Sequence, residues 1–328
     1  MRNANNVTRI LSLRRAVILL ALLVSTAPAY GQGVSLRYRW TKGESLTYRI
    51  DLLTVSVVTG MPGTTERKLE QNMSQVLKFT AEEVAADGTA TLRQTFELVK
   101  MEVNGPMGRI AYDTAAPSPR SNPMVQAMRQ VFGGMVGASI TVIAAPDGTV
   151  RKVEGATKMI EQITKAMQDD PAAARAAEGL KAAVSDEALR TTLEQSFSKL
   201  PANPVQQGDT WQSQLAMGNE MIGRVVGDLR FRLRSFEGAA EAAIAQVGVE
   251  LHLKQEIAPP PAANGTVLKV LEGKGVGEIA FDVAKGQIRK SSMRTEQPST
   301  MTMQTPDGGQ VTMQNKTTTT VAMELVQK

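Results

Sequence analysis

The chain of 328 residues contains no cysteine. That removes disulfides, thiolate metal sites, thiol catalysis and any lipid anchor on a cysteine behind a leader. It contains one histidine, His252, so a zinc site of ordinary nitrogen and sulfur ligands cannot be assembled. A Ser-His-Asp triad would have to use His252, and no nucleophile-elbow motif accompanies it. Aromatic residues are scarce, 4% of the chain, so the core must lean on Val, Leu, Ile, Ala and 17 Met. A basic excess is also missing where it would matter. The formal charge is +5, but Arg2, Arg9, Arg14 and Arg15 precede position 32, and residues 1–31 hold no acid. The remainder is close to charge balance and shows no basic patch of the kind that binds nucleic acid.

What is present begins with an export signal. Four arginines precede the apolar run Ala16 to Val24, followed by small residues up to Gly31. A basic region, a short apolar core and small residues before a cut make a secretory leader. Cuts after Ala29 and after Gly31 both fit. The apolar core is about half the ~20 residues of a spanning helix, so contact with a membrane is expected only through the uncleaved leader. The expected compartment is the periplasm of a Gram-negative bacterium, without a cysteine-linked lipid.

Past the leader the pattern is strands, then helices, then strands. Leu36-Arg37-Tyr38-Arg39-Trp40 alternates apolar and basic, as a half-buried strand does. Alternation resumes at Leu46, Tyr48 and Ile50, then over 68–84 and 89–103, around the turn signal Asp87-Gly88. Asn122-Pro123 opens a helix carrying Met124, Val125, Met128, Val131 and Phe132, with Gly133-Gly134 as its stop. A short hairpin is expected around Asp147-Gly148. Helices follow from Ala156 (Met159, Ile160, Ile163, Met167), after Asp170-Pro171, and from Ser185 (Leu189, Leu193, Phe197, Leu200), the last stopped by Pro201 and Pro204. Strands then return near 222–236, 240–257, 275–283, 287–296, 300–304, 310–314 and 317–326. The expected division is residues 1–31 as leader, 32–120 as an antiparallel β region, 121–204 as a mainly helical region, and 205–328 as a second β region. The fold class is α+β: long antiparallel strands in a curved sheet or half-barrel with a central helical segment on one side. Gly43-Glu44-Ser45-Leu46 and Gly208-Asp209-Thr210-Trp211 echo one another, which is compatible with two similar β-halves.

Candidate chemistry is sparse. His252 shares a strand face with Glu250 and Lys254, which reads as solvated. Ser196-Phe197-Ser198-Lys199 matches Ser-x-x-Lys, but the companion motifs of penicillin-recognising enzymes are absent. Gly273-Lys274-Gly275-Val276-Gly277 leads into a strand, whereas a phosphate cradle needs a helix, so it reads as a bulge or a tight strand start. Glu82-Glu83 and Asp169-Asp170 are neighbours and do not pair for acid–base work. Met301, Met303 and Met313 would share one face, with Met313 opposite Met301. Three thioethers can hold Cu(I), and flexible core packing is the alternative. No cofactor is expected.

Lys42-Gly43-Glu44-x-Leu46-x-Tyr48, Asp147-Gly148-x-Val150, Pro204-Val205-x-x-Gly208-Asp209-Thr210-Trp211 and Gly275-x-Gly277-x-x-x-Phe281-Asp282-x-x-x-Gly286 together resemble an uncharacterised family of secreted bacterial proteins. The resemblance spans nearly the whole chain after the leader and implies a fold rather than an activity. More remotely, the architecture resembles the half-barrel lipoprotein carriers of the periplasm. The functional expectation is a non-enzymatic protein that binds a hydrophobic or amphipathic ligand, such as a lipid. An envelope scaffold and an enzyme without His or Cys chemistry are the alternatives.

Overall fold

The computed structural model describes residues 33–61, 63, 66–106, 108–116, 123–165, 185–219, 223–237, 243–259, 266–304 and 309–326. The leader with Ala29 and Gly31, Met167, the segment after Asp170-Pro171 and residues 305–308 lie outside them. Ser35–Lys328 forms one unit and Met1–Val34 another.

Among the described residues thirteen antiparallel strands form a single sheet. They are β1 (Ser45–Thr59), β2 (Arg67–Val84), β3 (Ala90–Gly105), β4 (Gly108–Asp113), β5 (Ser139–Ala144), β6 (Val150–Glu154), β7 (Thr210–Asn219), β8 (Gly223–Glu237), β9 (Ile244–Ile257), β10 (Val267–Val270), β11 (Gly273–Asp282), β12 (Gln287–Gln304) and β13 (Gln310–Val326). The helices among the described residues are α1 (Pro123–Met135), α2 (Ala156–Lys165) and α3 (Asp186–Ser196), of 13, 10 and 11 residues. The expected α+β class is therefore wrong. Strands dominate the described chain, and three short helices are accessory to one large open sheet.

The sheet order is β6-β5-β3-β2-β1-β13-β12-β11-β9-β8-β7. β4 extends the line of β5 along β3, and β10 extends that of β11 along β12. The first and last strands pair in the middle, and the two edges, β6 and β7, follow one another in sequence. Topologically this is an up-and-down meander opened at a single place. The chain crossing that gap carries α2 and α3, and α3 touches both edge strands.

One end of the sheet is packed shut. Inward residues of β1–β6 (Leu46, Tyr48, Leu77, Phe79, Leu92, Val142) form one core with Met159, Ile160 and Ile163 of α2 and Leu193 of α3. Ser185 caps α3 by accepting from Ala188 N at 3.1 Å. The scarce aromatics concentrate here. Tyr38 meets Phe197 and Phe281 edge-on at 5.7 Å, and Phe79 meets Phe197 at 6.0 Å and Tyr48 at 6.1 Å.

Several local expectations need correcting. Residues 35–41 do not join the sheet. They run as a strap across its closed end, with Tyr38 N donating to Pro146 O and Arg39 N to Gly286 O. The alternation was real, because Leu36 and Tyr38 are buried, but burial under a strap has the same period as burial in a strand. α1 continues through Gly133-Gly134 to Met135. Gly134 serves the crossing with α2, where a Cβ would lie 2.8 Å from Ile163 Cα. α3 stops at Ser196, which frees Phe197 and Leu200 to pack at the closed end.

The segments expected at 287–296 and 300–304 are one strand of 18 residues running through Pro298. Pro298 O accepts from Leu271 N. A residue's N–H and C=O point to the same side of a strand, so the missing proline N–H faces the junction between β10 and β11. No ladder bond is lost there. Segments 310–314 and 317–326 likewise merge into β13.

The echo between Gly43-Glu44 and Gly208-Asp209 is structural. Both glycines have positive φ, 83° and 95°. Gly43 N donates to Ala81 O and Ala81 N to Glu44 O. Correspondingly, Gly208 N donates to Leu233 O and Leu233 N to Asp209 O. Each turn launches the first strand of a meander and hooks it to the second strand's end.

Candidate functional site

The ladder registers sort inward from outward side chains along the long central strands β1, β13 and β12. Closest to the packed end, Ile50 lies opposite Met323, itself opposite Ser291. Next come Leu52, Val321 and Met293. Then the chemistry changes. Three consecutive inward rows read Thr54, Thr319, Thr295; Ser56, Thr317, Gln297; and Val58, Asn315, Ser299. Eight of these nine positions are Thr, Ser, Asn or Gln, and all nine are half-buried. Beyond them Met313 pairs with Met301, and Met301 with Leu268; Val311 pairs with Met303. A block of uncharged polar groups thus lies between two apolar layers rich in Met.

Within the block Ser56 Oγ and Thr317 Oγ1 lie 3.2 Å apart, and Asn315 Nδ2 donates to Thr317 Oγ1 at 3.1 Å. Gln297 Nε2 donates to Pro298 O at 3.2 Å. The amide oxygens Gln297 Oε1 and Asn315 Oδ1 are buried and accept no hydrogen bond. In the rows from Ile50 to Val58 and in the Met313 and Val311 rows beyond, no inward position of β1, β12 or β13 carries a charge. Charged residues on the opposite face of these strands pair there: Arg49 with Asp51 and Glu324, Glu296 with Lys316 and Arg294. The outward face of β1 also holds Leu53, Val55 and Val57, so the faces differ in charge more than in polarity.

The glycines of 273–277 shape this region. Gly273, Gly275 and Gly277 all sit inward on β11. Side chains of β12 lean over them. A Cβ would come within 2.4 Å of Gln297 Oε1 at Gly273, 2.8 Å of Thr295 Cγ2 at Gly275 and 3.1 Å of Met293 Sδ at Gly277. The stripe lets the sheet bend sharply, and Cα atoms of β9 and β12, on either side of β11, approach within 8 Å. The one irregularity in the β11–β12 ladder lies elsewhere, at Ala280/Phe281. Past the bend, Val225, Leu251 and Leu253 form a separate apolar cluster with Leu215, Leu229 and Val270.

The helices pack against β4, β5, β6 and β7, away from the polar block. The block was not singled out from sequence. Its signal is a period of two in 313–321 and 293–301, but Thr317 to Thr320 puts threonine on both faces, so only the register says which ones point inward.

Met301, Met303 and Met313 do share the inward face, with Met301 opposite Met313. Leu268 and Val311 sit among them, which makes an apolar layer. Among the described residues no cluster of His, Asp and Glu could hold a metal. His252 is exposed on β9 with Glu250 and Lys254, opposite Asp228. Lys199 Nζ bonds Asp147 Oδ2 at 2.9 Å and also Thr149 Oγ1, so it is committed to the β5–β6 turn. The side chain of Ser196 lies outside the described residues.

A polar depression at the closed end is lined by Arg37, Pro146, Asp147, Thr149 and Arg151. Its charges are already satisfied. Arg37 donates to the carbonyls of Pro201 and Ala202, and Arg151 reaches Asp87 at 3.4 Å. Burial opposes ionisation of Asp147, but hydrogen bonds from Lys199 and Thr149 outweigh it and bring its pKa to about 2. The depression is a fastening for strap, turn and α3 exit. Burial also pushes the hydroxyls of Tyr38 and Tyr48 far up, and they donate to Ser198 O and Ile288 O. Trp211 stacks on Phe231 at 5.4 Å and donates from Nε1 to Lys199 O at 2.8 Å.

Fold and site define an open antiparallel meander with a packed end and a block of uncharged polar groups on its inner face. Residues 87–288 match DUF6263, a family of unknown function, and the chain belongs to that family. No curated protein matches it. Among solved structures, lipovitellin, described for its lipid–protein interactions, is similar over 88% of this chain at 11% identity and a TM-score of 0.44. The chain spans only 26% of that protein's length. DynF of the dynemicin biosynthesis pathway of Micromonospora chersina covers 91% of this chain and 88% of its own at 10% identity and a TM-score of 0.21. A DUF1329 protein from Desulfovibrio piger covers 84% and 85% at 9% identity and a TM-score of 0.12. Likenesses at these TM-scores carry no argument about what this chain binds.

Proposed function

We propose that this protein binds a hydrophobic or amphipathic ligand on the inner face of β1, β12 and β13, as an exported, non-enzymatic carrier of the periplasm. The observation that carries the reading is the half-buried inner face beyond the packed core. It is lined by Leu52, Met293, Val321, Met301 and Met303. A sheet face of that composition gains by covering apolar area, at about 25 cal/mol per Å². Methionine adapts its shape to an irregular partner, and the glycine stripe on β11 curves the face into a trough.

The test is native mass spectrometry of the protein purified without detergent from an exporting host, followed by solvent extraction. A stoichiometric lipid-sized adduct is the expected result. A bare protein mass that stays unchanged when lipids are offered would end the carrier reading.

A second reading, an envelope interaction protein, draws on the edge strand β7. Thr210-Trp211-Gln212-Ser213-Gln214-Leu215-Ala216-Met217-Gly218-Asn219 has neither charge nor proline, and its ladder with β8 is unbroken. Edges usually carry such guards against added strands. Capture of an extended peptide by β7, abolished by Gln214→Lys, would favour this reading.

A further inference from the structure

From the three-by-three block on β1, β13 and β12 we infer that the ligand is an uncharged lipid of the glyceride class, with ester and hydroxyl groups lying between apolar segments. The inference rests on the binding reading above and names its ligand.

Three observations converge. First, the block is flanked on both sides by apolar rows, Leu52, Val321 and Met293 towards the packed end and Met313 and Met301 beyond. A molecule with a polar centre and apolar arms matches that order. A fatty acid, polar only at its end, leaves one side mismatched. Second, the block offers both halves of the hydrogen-bonding repertoire. Threonine and serine hydroxyls can donate to ester carbonyls. Gln297 Oε1 and Asn315 Oδ1, buried and without a donor, can accept from a ligand hydroxyl. Third, no charged side chain points inward on these three strands in the block or in the apolar rows on either side of it. Arg67 of β2 is exposed opposite Val58, at the outer edge of the block, but a phosphate or carboxylate held over the central rows would be desolvated without a counter-ion, which strongly disfavours it.

The geometry also explains Gly273. Gln297 Oε1 rests where its Cβ would be, 2.4 Å away, so only glycine lets that amide lie in the trough.

The experiment uses the full-length protein and four probes: dioleoylglycerol, oleic acid, dioleoyl-phosphatidylglycerol and hexadecane. Binding is read by native mass spectrometry and by displacement of an environment-sensitive fluorophore. Dioleoylglycerol is expected to bind at least about tenfold more tightly than the two anionic lipids. The isosteric pair Thr295→Val with Thr319→Val should weaken dioleoylglycerol by about tenfold, the scale of one or two hydrogen bonds. The same variant should leave hexadecane unchanged, and Thr295→Ser, which keeps the hydroxyl, should bind dioleoylglycerol like the parent. Equal or tighter binding of oleate or phosphatidylglycerol overturns the ligand class while leaving a lipid-binding protein. Loss of hexadecane binding together with dioleoylglycerol in the valine variant overturns the role of the block. Failure of all four probes overturns both this inference and the reading beneath it.

Discussion

The two ends of the sheet use the same strands differently. At the closed end, inward positions hold Leu46, Tyr48, Phe79 and Leu92, and α2, α3 and the strap at 35–41 cover them. At the open end, the same strands turn inward Thr54, Ser56, Thr317 and Thr319, all half-buried. One end is built for stability, since apolar burial with close packing dominates folding. The other carries hydrogen-bonding groups that contribute little to a core. A strand long enough to do both lets one rigid element support an adaptable surface, which is how binding sites are held in place.

Substitutions should divide along that line. Phe281→Ala, at a fully buried ring beside Tyr38, is expected to cost about 3–5 kcal/mol in urea unfolding. A cost under about 1 kcal/mol, the scale of an ordinary surface change, would mean that the closed end is not the stability core. The same residue type should behave differently at the two ends. Met159→Ala, in the packed core, should cost about 2–5 kcal/mol, whereas Met303→Ala, half-buried, should cost less than about 1 kcal/mol. Equal costs would erase the distinction. Gly277→Ala sits between the regions, with a Cβ only 2.4 Å from Ser292 O. It should cost about 1–3 kcal/mol by overpacking and lower ligand affinity as the bend opens; a thermal melt and a binding titration read the two effects.

The smallest effect concerns pH. Asp147 has a folded pKa of about 2, below its ordinary 3.8. In the unfolded chain it therefore binds its proton more readily. Its contribution to stability is full above 3.8 and is lost as pH falls through that value towards 2. Asp147 is partly exposed, so solvent screening keeps the effect modest. Denaturation midpoints should fall faster with acid in the parent than in Asp147→Asn, and parallel profiles would remove the Lys199–Asp147 pair from the account.

Much of the closed end was legible in the sequence, because local chemistry dictates it. Asp87-Gly88 and Asp147-Gly148 encode turns by side-chain bonds to Thr89 N and Thr149 N, and Ser185 encodes a helix start. The glycine–acid echo at 43 and 208 was visible for the same reason. Of the open end, the sequence showed the pairing of Met301 with Met313 but not the polar block. The segments 287–296 and 300–304 were expected apart, yet they form one strand through Pro298, whose missing N–H matters only if a partner strand faces it. The glycines of β11 read as a bulge or strand start, because a bend is a property of neighbouring strands.

By itself the sequence determined the periodicities, the turns, the caps and the absence of thiol and histidine clusters, since these follow from single residues and their neighbours along the chain. The tertiary structure alone decided that the helices are accessory to one sheet, that the first and last strands meet in its middle, and that Thr295, Gln297, Asn315, Thr317 and Thr319 face inward together. The physical reason is register. In a strand a shift of one residue exchanges the two faces. A run such as Thr317 to Thr320, polar on both faces, carries no local information about which side it will show.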